Sequence, residues 1–227
     1  MIKAVCFDLF HTLIDPHIEL IETECAPLGI SAEEWEAVHW EPKISDDRGL
    51  GRIKSEEELI ERLCALLPFQ ATKAQKNAVL AAKRERMRKC VMEVPSEMLE
   101  TVSELKNRGL KIGLVSNADV CDVAFWDNSP LAQFFDDAIF SCFAGLLKPD
   151  KKIYELSLSH LGVRAENAIF VGDGGSDELW GAKNAGLKTV CTECLVVREN
   201  PRREQILQSA DFRIDDFKNL VKVVENA

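Results

Sequence analysis

Residues 1–15 read MIKAVCFDLFHTLID. Ile2 to Phe7 is apolar apart from Lys3 and ends on an acid, Asp8. A short apolar run of this kind predicts a strand buried on both faces. In an open parallel sheet, ligands bind outside the carboxyl ends of the strands. A carboxylate at such an end is therefore placed where chemistry is done. Phe10 and Thr12 follow it within four residues.

The same pattern recurs after residue 95. Lys111–Val115, Ala138–Phe140, Ala168–Val171, Thr189–Cys191 and Asp211–Ile214 read as strands. Helical patterns alternate with them at Ser96–Arg108, Lys151–Leu161, Ser176–Ala185 and Arg202–Ser209. Gly109, Gly162 and Gly186 follow three of these helices, as helix-stop residues do. Alternation of this kind predicts βαβ units, hence an α/β fold with a Rossmann-like parallel sheet covered on both faces.

Residues 16–94 contain no convincing strand. Ser31-Ala-Glu-Glu34 and Ser55-Glu-Glu-Glu58 read as capping boxes, and Ala71–Met92 is a long helical stretch rich in Lys, Arg and Ala. The expected organisation is an α/β core, 1–15 and 95–227, interrupted by an all-helical cap, 16–94. Pro16 and Pro95 mark the two crossings.

Composition narrows the function classes. The chain has 227 residues, 28 Lys and Arg against 38 Asp and Glu, and a net charge of −10. No basic surplus is available to neutralise a nucleic-acid backbone. No stretch approaches the roughly 20 apolar residues of a membrane span. No signal peptide precedes the first strand, and the expected location is cytoplasmic. Of eight cysteines, only Cys191 and Cys194 form a C-x-x-C, without a second pair at metal-ligand spacing. They read as ordinary thiols.

Polar residues collect at the strand ends. Asp8 follows the first, Ser116-Asn117 the second, and Gly172-Asp173-Gly-Gly-Ser-Asp177 the one at Ala168–Val171. Lys148-Pro149-Asp150 follows the short run ending at Phe140. Asp8 and Asp173 offer hard oxygen ligands to Mg²⁺, and Asp177, one helical turn beyond, offers another or a hydrogen bond to a metal-bound water. Ser116 and Lys148 can hold anionic oxygens. Singly, each has an ordinary explanation as a turn, cap or loop residue. All four at strand ends would require four coincidences.

These residues resemble the haloacid dehalogenase superfamily of hydrolases. The motifs are Asp8-Leu-Phe-His-Thr12, Leu-Val-Ser116-Asn117, Lys148-Pro149-Asp150 and Val-Gly-Asp173-Gly-Gly-Ser-Asp177, in that order. The helical insert resembles that family's first type of cap. The resemblance implies Asp8 as nucleophile, Thr12 and Ser116 as its supports and phosphate binders, and Lys148 as the neutralising cation. It also implies Asp173 as metal ligand, Asp177 in or just behind the metal's ligand shell, and the backbone carbonyl of Phe10 as a further Mg²⁺ ligand. The substrate would be a small phosphorylated molecule.

Phe10 departs from the family's phosphatases, which usually carry a second Asp there as general acid and base. Such proton transfer is worth roughly 10²–10⁴-fold in rate. One reading keeps Mg²⁺-dependent phosphoryl transfer, with His11 or Asp15 as a substitute acid or with a good leaving group. A carbon–phosphorus variant would need a cap lysine, Lys43 or Lys54. A second reading is a metal-independent 2-haloacid dehalogenase forming an ester on Asp8, with Arg48 or Arg52 binding the substrate carboxylate. A third is a non-catalytic protein that binds phosphate or a partner. The Asp173/Asp177 pair favours the first. Trp40, Phe69 and the 48–52 segment are expected to set substrate choice.

Overall fold

The computed structural model describes residues 1–195 and 201–227. Six strands form one parallel sheet: β1 (Ala4–Phe7), β2 (Lys111–Ser116), β3 (Asp137–Phe140), β4 (Ala168–Gly172), β5 (Lys188–Thr192) and β6 (Phe212–Ile214). Their order is β3-β2-β1-β4-β5-β6. The chain builds outward from β1 on one side, then crosses to β4 and builds outward on the other. This reversal opens a crevice at the carboxyl ends of β1 and β4. Phe7 pairs with Leu114 on one side and Val171 on the other, so Asp8 emerges centrally.

Strand residues alternate between two cores. Val5, Phe7, Ile112, Leu114, Ile169 and Val171 face one; Ala4, Cys6, Val115, Ala168 and Phe170 face the other. The first core is covered by α6 (Ser96–Asn107) and α11 (Asn219–Asn226), which contribute Val102, Leu105, Leu220 and Val224. The second is covered by α8 (Lys151–Leu161) and α9 (Glu178–Asn184), through Ile153, Leu158, Leu179 and Ala182, and α10 (Arg203–Gln208) adds Ile206 and Leu207. Burial on both faces explains why the strands read as continuous apolar runs rather than alternating ones.

Residues 18–92 contain helices only: α1 (Ile21–Cys25), α2 (Ala32–His39), α3 (Pro42–Gly49), α4 (Glu56–Cys64) and α5 (Lys73–Met92), with short 3₁₀ turns at Ile18–Leu20 and Ala26–Leu28. They pack on a core of their own that includes Ile21, Trp35, Ile44, Leu59, Leu63 and Val79. Ser31 and Glu34 make the complete capping box. At α4 the box is incomplete. Ser55 accepts from Glu58 N, but the Glu58 carboxylate accepts from Lys54 N instead of Ser55 N. No helix among the described residues is long and apolar enough to cross a membrane.

Two elements differ from expectation. The helix expected from Ser176 begins at Glu178, because Gly174, Ser176 and Asp177 all have positive φ. A left-handed run cannot extend a right-handed helix. The terminal helix α11 was not anticipated. Its apolar face, Leu220, Val221 and Val224, is confined to the last turns of the chain.

The helical segment meets the sheet domain most tightly in backbone terms at Gly51. Gly51, with φ 65°, lies against the backbone of Cys142, in the short helix α7 (Ser141–Ala144). A Cβ at 51 would overlap the Cys142 carbonyl, and the left-handed backbone itself disfavours any side chain. Gly51→Ala should therefore cost about 2–3 kcal/mol in unfolding free energy, measured by urea denaturation. An unchanged midpoint would show that this junction yields freely.

Candidate active site

At the carboxyl end of β1 the chain folds back on itself. Leu13 N and Ile14 N both donate to Leu9 O, and His11 N donates to Ile14 O. This tight turn brings Thr12, fully buried, back beneath Asp8. The Thr12 hydroxyl donates to Asp8 Oδ2 at 3.1 Å and accepts from Asp173 N at 3.1 Å. One hydroxyl thus ties the end of β1 to the end of β4. Lys148 Nζ donates to Asp8 Oδ1 at 2.5 Å. Both oxygens of Asp8 are held, and its orientation is fixed.

Asn117 acts on Lys148 through the backbone. Its Oδ1 accepts from Lys148 N at 2.8 Å and its Nδ2 donates to Lys148 O at 3.2 Å. Ser116, at the last position of β2, is buried, and its hydroxyl has no hydrogen-bond partner among the described residues. An unpaired buried hydroxyl is costly and marks a place where a ligand oxygen would be satisfied.

The left-handed residues Gly174, Ser176 and Asp177 decide which acid joins Asp8 and Asp173. Asp177 sits at the N-terminus of α9, 45% exposed, and pairs with Arg202 outside the cavity. The expectation that Asp177 serves the metal does not match this geometry. Glu178, one residue on, turns inward and is buried. Its Oε1 accepts from Gly174 N at 3.1 Å and its Oε2 from Lys148 Nζ at 2.5 Å. Gly172 makes this possible, since a Cβ there would overlap Glu178 Oε1. The signal available in the sequence was the diglycine before the helix, which lets the chain spend extra residues before α9 starts.

Asp8, Asp173 and Glu178 offer carboxylate oxygens all within 4.8 Å of one another. Three carboxylates face one ammonium. Burial and the neighbouring Asp8 charge raise the pKa of Asp173 and raise that of Glu178 well above the usual range. Burial works against the Lys148 charge, but Asp8 and Glu178 outweigh it and hold the ammonium above its ordinary value. Such a cluster is suited to a hard divalent cation.

These groups line a cavity of about 560 Å³ between the strand ends and the helical segment. Phe10 and His11 line its floor, and Trp40 and Arg48 come from the helical side. Arg48 donates to Asp119 Oδ2 at 3.1 Å and lies over the Trp40 ring. Arg52 does not take part: it is 61% exposed and pairs with Asp47. Lys43 pairs with the same Asp47, Lys54 is exposed, and neither lines the cavity; nor does Phe69. The lysine that does line it is Lys83, in the middle of α5. It was missed because α5 looks like a solvated, basic helix. The signal was its place in the stripe Val79-Lys83-Met87-Cys90, where an apolar residue belongs. Asp122 and Glu24 also line the cavity and were not anticipated. All eight cysteines are free, and Cys191 lies buried in β5.

A family model described as haloacid dehalogenase-like hydrolase matches residues 2–186. The chain is 26% identical to a glyceraldehyde 3-phosphate phosphatase of Methanocaldococcus jannaschii, over 100% of this chain and 98% of the relative. It is 25% identical to an (S)-2-haloacid dehalogenase of Pseudomonas sp. (strain YL), over 100% and 96%. In fold it resembles a 2-haloacid dehalogenase of Pseudomonas syringae pv. Tomato, with a TM-score of 0.69, 21% identity and coverage of 100% and 99%.

Titration with Mg²⁺ by calorimetry separates the two neighbouring acids. Glu178→Gln should weaken binding about 10–100-fold, whereas Asp177→Asn should leave it unchanged. The reverse result would return the ligand role to Asp177. Protons compete for the same oxygens. Because the Asp173 and Glu178 pKa values are raised, the wild-type affinity should fall as pH is lowered, beginning above the ordinary carboxylate range. Affinity that holds constant until the ordinary carboxylate range would contradict the raised values.

Proposed function

Because the chain belongs to the haloacid dehalogenase-like hydrolases, we propose that it is a Mg²⁺-dependent phosphatase of a small phosphorylated metabolite, working through an aspartyl phosphate on Asp8. The observation that carries this reading is the charge at the strand ends. Three carboxylates within 4.8 Å share one ammonium, that of Lys148, and the raised pKa values of Asp173 and Glu178 express the negative surplus it leaves. A divalent cation cancels that surplus. A haloacid carboxylate arriving without a metal would be repelled by it.

The donors fit Mg²⁺: the buried carboxylates of Asp8 and Glu178 and the half-buried one of Asp173, with the Phe10 carbonyl as the further candidate. When bound, the ion would neutralise the charge shared by nucleophile and phosphate. The chain's own groups do the rest. Lys148 and Thr12 fix the Asp8 carboxylate for attack on phosphorus. The Ser116 hydroxyl supplies a donor to a phosphate oxygen, and Asn117 keeps Lys148 in place. The new Asp8–phosphorus bond forms as the ester oxygen leaves. Water then hydrolyses the acyl phosphate and restores Asp8. The helical segment 16–94 serves as the cap over the site.

The Phe10 ring cannot donate a proton to the leaving oxygen. His11 lines the same cavity and is the alternative donor. Relatives named as phosphatases support this reading over the dehalogenase. One feature favours the latter, namely an aromatic ring in place of an acid beside the nucleophile. Its substrate carboxylate would need an arginine, however, and Arg48 is committed to Asp119.

Rates across a series of substituted phenyl phosphates and one alkyl phosphate test the role of position 10. They should depend steeply on leaving-group pKa, because position 10 supplies no acid to assist departure. Phe10→Asp should raise the alkyl phosphate rate, by up to ~10²-fold. A flat dependence in wild type would assign the proton to His11. Chloride release from 2-chloropropionate without Mg²⁺ would instead establish the dehalogenase.

A further inference from the structure

The cavity has a second polar region, away from Asp8, where the helical segment meets the loop after β2. It holds three cations, Arg48, Lys83 and Arg86, and four acids, Glu24, Glu36, Asp119 and Asp122. Most of their hydrogen bonds are made internally. Glu24 accepts from Trp35 Nε1 at 2.8 Å and from Arg86 Nε at 2.9 Å. Asp119 accepts from Arg48 and from the backbone N–H groups of Cys121 and Asp122. The acids outnumber the cations, and no surplus cation is left for a second anionic group.

Two groups remain unsatisfied. Lys83 is 1% exposed, and its ammonium makes no hydrogen bond among the described residues. The one carboxylate oxygen within ion-pair range is Asp122 Oδ1, at 3.9 Å. An ammonium carries three donors. Burial opposes its charge, but Asp119, Glu24 and Asp122 outweigh burial and keep it protonated. It is therefore not a Schiff-base amine. His39 is the second. Its Nδ1 lies 3.0 Å from the Trp35 carbonyl, an acceptor, so Nδ1 carries the proton. Burial, with Lys83 and Arg48 beside it, pushes the His39 pKa down to about 3. The ring is neutral at physiological pH, and Nε2 is a bare acceptor. Among the described residues Nε2 has no hydrogen bond; it is buried, 3.9 Å from Glu24 Oε1.

We propose that this region is a subsite for a neutral, hydroxyl-bearing tail of the substrate, with His39 Nε2 accepting from a hydroxyl and Lys83 Nζ donating to one. A hydroxyl both donates and accepts, so it satisfies an orphan acceptor and an orphan donor in the same cavity. A carboxylate could use Lys83 but not His39, and it would add to the excess of acids. A purely apolar tail would leave both groups unpaired, at a cost in affinity. The inference rests on the phosphatase reading for the other end of the ligand and deepens it to polyol phosphates.

The test measures binding, not turnover, because Phe10 makes alkyl esters slow substrates. Asp8→Asn protein with Mg²⁺ is titrated calorimetrically with glycerol 3-phosphate, n-propyl phosphate and 3-phosphoglycerate. Glycerol 3-phosphate should bind at least about tenfold more tightly than propyl phosphate. That ratio should shrink to within about threefold in His39→Phe and, independently, in Lys83→Met. Equal binding of the two esters would mean that neither group meets a substrate hydroxyl, and would overturn the proposal without recourse to any variant at the subsite. Tighter binding of 3-phosphoglycerate would make this an anion site and overturn it as well. If no phosphate compound binds, the phosphatase reading has failed. The hydroxyl contrast then moves to wild-type turnover of 2-chloropropionate and 2-chloro-3-hydroxypropionate. A preference for the hydroxylated acid there would uphold the subsite alone; equal rates, or turnover of neither acid, would overturn it.

Discussion

Asp8, Asp173 and Glu178 concentrate negative charge at one point of the sheet, and much of the surrounding structure serves to tolerate it. Like charges at such distances in a buried site repel strongly. Lys148 offsets one charge, and the chain invests in holding that lysine. Asn117 grips its backbone from both sides, and the Tyr154 hydroxyl donates to the Glu178 carbonyl at 2.8 Å. Thr12 and the N–H groups of Gly174 and Gly175 stabilise the individual carboxylates. The crevice between β1 and β4 is where a parallel sheet can gather these groups, because the strand order reverses there.

The sheet was legible because its strands are buried on both faces. A run such as Ala168–Val171 has no solvent side to interrupt it with polar residues. Asp8, Lys148 and Asp173 were legible for a related reason. A charge that interrupts an apolar run, or follows a glycine turn beyond one, stands out against its neighbours. Helix phase was not legible. Asp177 and Glu178 are adjacent acids, and only the left-handed backbone of Ser176 and Asp177 turns the second inward. Lys83 was hidden for the opposite reason. It sits among Lys, Arg and Glu, and its burial depends on acids from other segments, Glu24, Asp119 and Asp122. Arg48 and Arg52 looked equivalent, yet the turn through Gly51 sends the first into the cavity and the second to the surface.

The two polar regions of the cavity differ in kind. Around Asp8 the charges do not balance, and the site calls for an ion. Under α2 and α5 four acids meet three cations, so no cation is in excess, and what is missing is hydrogen bonds. One end therefore suits strong, poorly directional electrostatic binding of phosphate. The other suits discrimination by geometry, which a neutral hydrogen-bond pattern provides at little electrostatic cost.

The pairing of Arg48 with Asp119, and of Lys83 with Asp122, joins positions far apart in the chain. This limits how the protein can be recombined. A chimera that kept the sheet but borrowed its helices from a relative would bury Asp119 and Asp122 against side chains not chosen to meet them. Removing one partner of a buried ion pair costs roughly 3–5 kcal/mol. The loop 117–122 and helices α3 and α5 thus form a single unit of inheritance, although the loop belongs by topology to the sheet. Exchange of specificity between relatives would have to move all three together.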